Sequence, residues 1–181
     1  MNNRKTWLLG GIGALAGGFL LYSSVKAQQP AKAEPITNFN KHKYLGKWFE
    51  IARFDYRFEK NMNNVTAEYT LRDDGKIKVF NRGYDTTAGK FKSSTGKAKF
   101  RGDDKTAALK VSFFGPFYSG YNVIAIDKDY QYALVAGESL SYLWILSRTP
   151  SIPENIKQQY LKLARSIGYK TEDLIWVEHD K

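Results

Sequence analysis

Glu50 shares the alternation parity of Trp48 and is expected to point inward with it. A carboxylate taken out of water needs a partner or a proton, and an Arg or Tyr near the floor of the fold would serve. Acid–base catalysis needs more than one such group, and no second acid or base stands at a readable spacing from Glu50. The two histidines, His42 and His179, lie near the ends of the domain. A Ser–His–Asp triad therefore lacks its core histidine, and a metal or haem site lacks a ligand cluster. The chain has no cysteine, which removes disulfides, thiolate metal sites and a thiol nucleophile. No Gly-rich phosphate loop occurs in the domain. The residues thus predict no catalytic group, no metal and no cofactor.

A different kind of chemistry is carried by Tyr44-Leu45-Gly46-Lys47-Trp48-Phe49-Glu50 and by Arg148, about a hundred residues later. A Trp opening a first strand and an Arg leaving a last one meet only if the sheet between them curls back on itself. The guanidinium then lies flat on the indole in a cation–π contact. That pairing predicts a closed barrel, and eight strands leave an interior wide enough for one small ligand.

The strands that must position these residues are legible as short alternating runs separated by turns. They fall near 46–54, 64–71, 76–83, 92–101, 107–113, 120–127, 131–136 and 142–148. Val65, Ala67, Tyr69 and Leu71 alternate with Thr66, Glu68 and Thr70, while Ile77 and Val79 alternate with Lys76 and Lys78. Asp73-Asp74-Gly75 and Gly102-Asp103-Asp104 mark turns. Because hairpin neighbours usually pair, the fold class is all-β: an eight-stranded antiparallel up-and-down β-barrel. One C-terminal α-helix follows, its stripe Ile156, Tyr160, Leu163 and Ile167 packing outside the barrel. Ser151 and Glu154 are spaced as a capping box, Pro153 suits a first turn, and Gly168 ends the helix. A short final strand near 174–177 joins the sheet edge.

Residues 1–27 read as a signal peptide or an N-terminal membrane anchor. Basic Arg4 and Lys5 precede an uncharged run from Trp7 to Tyr22, and small residues lead to a cleavage point after Ala27. The run is shorter than the about 20 residues of a membrane span. Gly13 and Gly17 have the spacing that packs helices together, which suits an uncleaved anchor. Residues 28–40, with two prolines, read as a flexible linker, and residues 41–181 as the barrel domain. Aromatic residues make up 15% of the chain, which suits strands and an apolar cavity. The net charge of +10 falls to +7 without residues 1–27, since these hold Arg4, Lys5 and Lys26 and no acid. Such a charge favours anionic membrane surfaces. The basic residues alternate with apolar ones and form no dense block, which argues against nucleic acid.

Read this far, the chain resembles the lipocalins, and most closely their bacterial branch, over about residues 41–178. The first family motif is matched by Gly46-Lys47-Trp48 and the third by Arg148. The second is matched in part by Asp127-Lys128-Asp129-Tyr130, without the family's Thr. The run Lys110-Val111-Ser112-Phe113-Phe114-Gly115-Pro116-Phe117-Tyr118 is distinctive of the bacterial branch. Gly46, Trp48, Asp129, Tyr130 and Arg148 are accordingly structural motif residues, of which Trp48 and Arg148 close the narrow end. Many bacterial members carry a lipidated Cys, which this chain lacks. The resemblance implies an exported protein, periplasmic or membrane-associated in a bacterial envelope, tethered if its N-terminal segment is retained.

The cavity wall is expected from inward positions: Tyr69, Ile77, Val79, Leu109, Val111, Phe113, Tyr142, Trp144 and Leu146. The predicted partner is an amphipathic lipid, a fatty acid or a lysophospholipid, carried for storage, transport or repair of membrane lipids. The alternative is an isomerase or epoxide-acting enzyme on the same scaffold, which would need two titratable groups with shifted pKa in the cavity. The apolar loop Phe114-Gly115-Pro116-Phe117-Tyr118 belongs to the mouth or to a dimer contact, and a homodimer is compatible with lipid binding.

Overall fold

The computed structural model describes residues 30–55 and 60–181; the expected signal or anchor segment lies outside the described residues. A short helix α1 (Lys41–Tyr44) leads into nine strands: β1 (Gly46–Phe54), β2 (Met62–Leu71), β3 (Ile77–Asp85), β4 (Lys90–Phe100), β5 (Ala108–Phe114), β6 (Phe117–Ile126), β7 (Tyr132–Ala136), β8 (Leu143–Ser147) and β9 (Leu174–Trp176). Helix α2 (Glu154–Ile167) precedes β9. The sheet runs β2-β3-β4-β5-β6-β7-β8-β1-β9, and a further β1–β2 pairing closes it. Consecutive strands pair as the meander requires.

Strand β1 makes the closure by bending. Its first half, Gly46 to Phe49, pairs with β2. On its other side β1 pairs with β8, with a register shift between Glu50 and Ala52. Beyond that irregularity, Ala52 to Phe54 pair with β9. A bulge of this kind bends a strand and strengthens its twist, so one strand serves both the barrel and the added edge.

Apolar residues divide between two cores. The interior core holds Trp48, Tyr69, Ile77, Val79, Leu109, Val123 and Leu146. The second lies between α2 and the outer face of the barrel, where Tyr160, Leu161 and Ala164 meet Ile51, Leu134, Leu143 and Ile145. The predicted stripe residues Ile156, Leu163 and Ile167 border this outer core. Gly168, in the left-handed conformation at φ 117°, ends the helix as expected.

Two sequence expectations are corrected. The capping box does not form: the N-cap is Pro153, and no side chain caps the helix. Ser151 as N-cap would make Ile152 helical, a conformation disfavoured immediately before Pro153. The Ser151 carbonyl instead accepts hydrogen bonds from Ser147 Oγ at 2.8 Å and Thr149 Oγ1 at 3.0 Å. The second correction concerns the linker, which is not free beyond Pro30. The Ile36 amide donates to Val123 O, the Ala107 amide donates to Ile36 O, and the Phe39 amide donates to Lys105 O. Phe39 is buried against Tyr44, Phe100 and Tyr130, with ring centroids 5.2, 6.2 and 6.1 Å away. A lone aromatic in a polar stretch carries no periodicity, so the pattern alone does not show that it plugs the barrel end.

Candidate functional site: a closed-end aromatic cup

The narrow end is built on Trp48 and Arg148. The Arg148 guanidinium carbon lies 3.8 Å from the Trp48 ring centroid. Its nitrogens donate to the carbonyls of Lys43 at 2.7 Å, Lys47 at 2.7 Å, Leu45 at 2.9 Å, Tyr44 at 3.2 Å and Tyr130 at 3.2 Å. The Trp48 indole donates to Tyr44 O at 2.8 Å. Gly46 has a φ of +92°, and a Cβ placed there would lie 3.5 Å from an Arg148 nitrogen. The motif glycine is therefore set by backbone conformation. In the β6–β7 turn the Asp127 carboxylate accepts from the amides of Asp129, Gln131 and Tyr132. Tyr130 sits at φ 58°, and its hydroxyl accepts the Asn40 amide at 2.8 Å.

Above this floor the barrel encloses a cavity of about 610 Å³, within the range of small-molecule sites. All nine residues expected on the wall border it: Tyr69, Ile77, Val79, Leu109, Val111, Phe113, Tyr142, Trp144 and Leu146. Phe113 differs from the rest in sitting at the rim, partly exposed. It is the penultimate residue of β5, four residues beyond Leu109 towards the open end, where the β5–β6 register shifts between Val111 and Phe114. Its ring crosses β4 at Gly96, where a Cβ would come within 2.7 Å of Phe113 Cδ1.

Residues missed from the sequence complete the cup. Tyr121 bonds two other phenols, with hydroxyl oxygens 2.6 Å from Tyr44 and 2.8 Å from Tyr69. Its ring stacks on Trp144 at 6.4 Å, and Trp144 stacks on Tyr142 at 6.3 Å. An aromatic ladder thus climbs from Trp48 to the mouth. The parity Tyr121 shares with interior Val123 is the available signal. Glu50 borders the cavity and is held by Arg53, its Oε1 accepting from Nη1 at 2.8 Å. Arg53 also donates to Met62 O. At the mouth stand Phe114 and Phe117, with Arg82 and Lys92.

Burial pushes the Tyr44 and Tyr121 hydroxyls well above the ordinary phenol range. Burial likewise raises Tyr160 and Tyr169. These raised values favour the folded state below the unfolded-chain tyrosine pKa of about 10, and the benefit is lost as pH rises beyond it. An alkaline absorbance titration is accordingly expected to show these phenols silent until a cooperative unfolding step above about pH 10. Smooth early ionisation of every tyrosine in a still-folded chain would contradict the buried cluster.

The family model for the lipocalin-like domain matches residues 39–179. The chain belongs to the lipocalin family. It is 50% identical to the outer membrane lipoprotein Blc of Citrobacter freundii over 92% of this chain and 94% of that protein. It is 48% identical to the Escherichia coli K12 protein of the same name, with the same coverage. Insecticyanin from the tobacco hornworm superposes with a TM-score of 0.65 at 20% identity, covering 82% of this chain and 85% of that one. That likeness speaks for the fold. This lipocalin has no cysteine. Its arrangement is that of a binding site for a hydrophobic ligand: a closed floor, an apolar and aromatic wall, and one open mouth where Phe114 and Phe117 stand with Arg82, Lys92 and Glu138.

Proposed function

We propose that this lipocalin binds an amphipathic single-chain lipid, a fatty acid or lysophospholipid, with the acyl tail in the barrel and the headgroup at the mouth. The observation that carries the reading is the 610 Å³ cavity walled by apolar and aromatic side chains. Burying about ten methylenes at roughly 0.8 kcal/mol each contributes about 8 kcal/mol gross. Association and ordering costs remove several of these, leaving an affinity in the micromolar range or tighter. At the rim the exposed Arg82 guanidinium, stacked on Phe91, suits a phosphate or carboxylate, whereas Lys92 is already paired with Asp85 at 2.5 Å. The role is storage, transport or repair of membrane lipids in the bacterial envelope, supported by the similarity to outer membrane lipoproteins. The N-terminal run from Trp7 to Tyr22 serves export, cleaved after Ala27 or kept as a tether.

Native mass spectrometry with added lysophospholipid and fatty acid tests this. One lipid retained per barrel is expected. No retained lipid of either kind would overturn it.

A further inference from the structure

The outer face of the sheet carries charges set against its own stability. Lys78 stands opposite Lys97 across β3–β4, and Lys99 opposite Lys110 across β4–β5. Like charges directly opposite one another are destabilising in a sheet. The Tyr118 ring lies among three of these lysines, whose nitrogens are 5.9, 5.3 and 5.4 Å from its centroid for Lys97, Lys99 and Lys110. The arrangement orders cations on one face, where cation–π contact with a single ring relieves only part of their repulsion.

Strand β5, which carries Lys110, and strand β6, which carries Tyr118, end in an apolar tip. Phe114 and Phe117 face each other across the β5–β6 turn and are 83% and 74% exposed. Phe113, 42% exposed, continues the patch. On the neighbouring β3–β4 tip Phe91 is 38% exposed, with the Arg82 guanidinium 3.7 Å from its ring centroid. Clustered exposed apolar side chains rimmed by polar ones mark an interaction site. Lys97 stands opposite Ser112, two residues or about 7 Å along the strand from Phe114. That spacing matches the roughly 5–10 Å by which apolar side chains enter the boundary between headgroups and acyl chains.

We infer that the open rim docks on an anionic lipid bilayer. Phe114 and Phe117 enter the acyl boundary, while Lys97, Lys99 and Lys110 lie in the headgroup layer. A second copy fits less well, because a two-fold contact brings up another patch of the same positive charge, whereas an anionic bilayer supplies the opposite one. The inference rests on the lipid-carrier reading for its purpose: docking brings the barrel mouth to the membrane that supplies or receives the lipid.

The chain holds no cysteine, so Phe117→Cys gives the full chain a single thiol for an environment-sensitive fluorophore. Lys128→Cys, in the β6–β7 turn at the closed end, gives the control. Vesicles contain phosphatidylcholine with about one third phosphatidylglycerol, brominated on the acyl chains. The label at 117 is expected to shift to the blue and be quenched, and the label at 128 to stay unchanged. Lys97→Glu with Lys110→Glu is expected to weaken vesicle affinity by about tenfold or more.

An unquenched label at 117, or equal quenching at both positions, overturns the inference. So does a blue shift that grows with protein concentration without vesicles, which identifies a second copy as the occupant. Retention of monomeric lysophospholipid is measured separately on the same variants. Failure to dock with retention intact removes the rim inference alone; intact docking without retention removes the carrier reading.

Discussion

Replacing Arg148 by Ala is expected to lower the unfolding free energy by about 3 kcal/mol, from hydrogen bonds to a charged group at about 1.5–3 kcal/mol each, discounted for partial exposure. One side chain serves five backbone carbonyls drawn from residues 43–47 and from Tyr130. It also covers the Trp48 ring at 3.8 Å. Water can replace the donors facing solvent, but not the flat stacking surface that seals the indole. Arg148→Lys should recover less than half of the loss, since an ammonium lacks both the planar face and the fork of donors. Urea denaturation followed by tryptophan fluorescence measures both variants. A cost below about 1 kcal/mol for the alanine variant, the worth of a single ordinary hydrogen bond, would show that the barrel end is held by other contacts.

Val111→Trp is expected to weaken binding of a long-chain lysophospholipid by about 100-fold while leaving the fold intact. Val111 borders the cavity on β5, opposite Ala98 on β4. An indole at that position projects into open space rather than into packed core, so the stability change should stay within about 1.5 kcal/mol. It excludes roughly four methylenes of the acyl tail at about 0.8 kcal/mol each, or about 3 kcal/mol, which is two powers of ten in affinity. Isothermal titration against one lysophospholipid, with the melting temperature recorded alongside, separates occlusion from unfolding. Unchanged affinity in a folded variant would place the lipid outside the barrel.

Strand order and the wall residues were legible because a strand exposes alternate side chains on opposite faces. That rule places Ile77, Val79 and Leu109 on one side without reference to anything distant. The same rule loses its grip at bulges. Phe113 follows the parity of Leu109 and Val111 and borders the cavity, yet it stands at the rim because it is the penultimate residue of β5, where the register also shifts. Glu50 was expected inside with an unspecified Arg or Tyr partner. Its partner is Arg53, three residues along β1 across the register shift between Glu50 and Ala52 and towards the open end beside Met62, not a group near the floor.

By itself the sequence determined the closed meander, the meeting of Trp48 with Arg148, the outer helix and the interior faces of the strands. Each follows from local periodicity or from a pair of residue types with one sensible partnership. Only the tertiary structure decided that Phe39 packs into the barrel end, that Tyr121 joins Tyr44 and Tyr69, and that Phe114 and Phe117 stand out from the mouth. These depend on distances between residues far apart in the chain, set by bulges and loop closure, which periodicity within one segment does not encode.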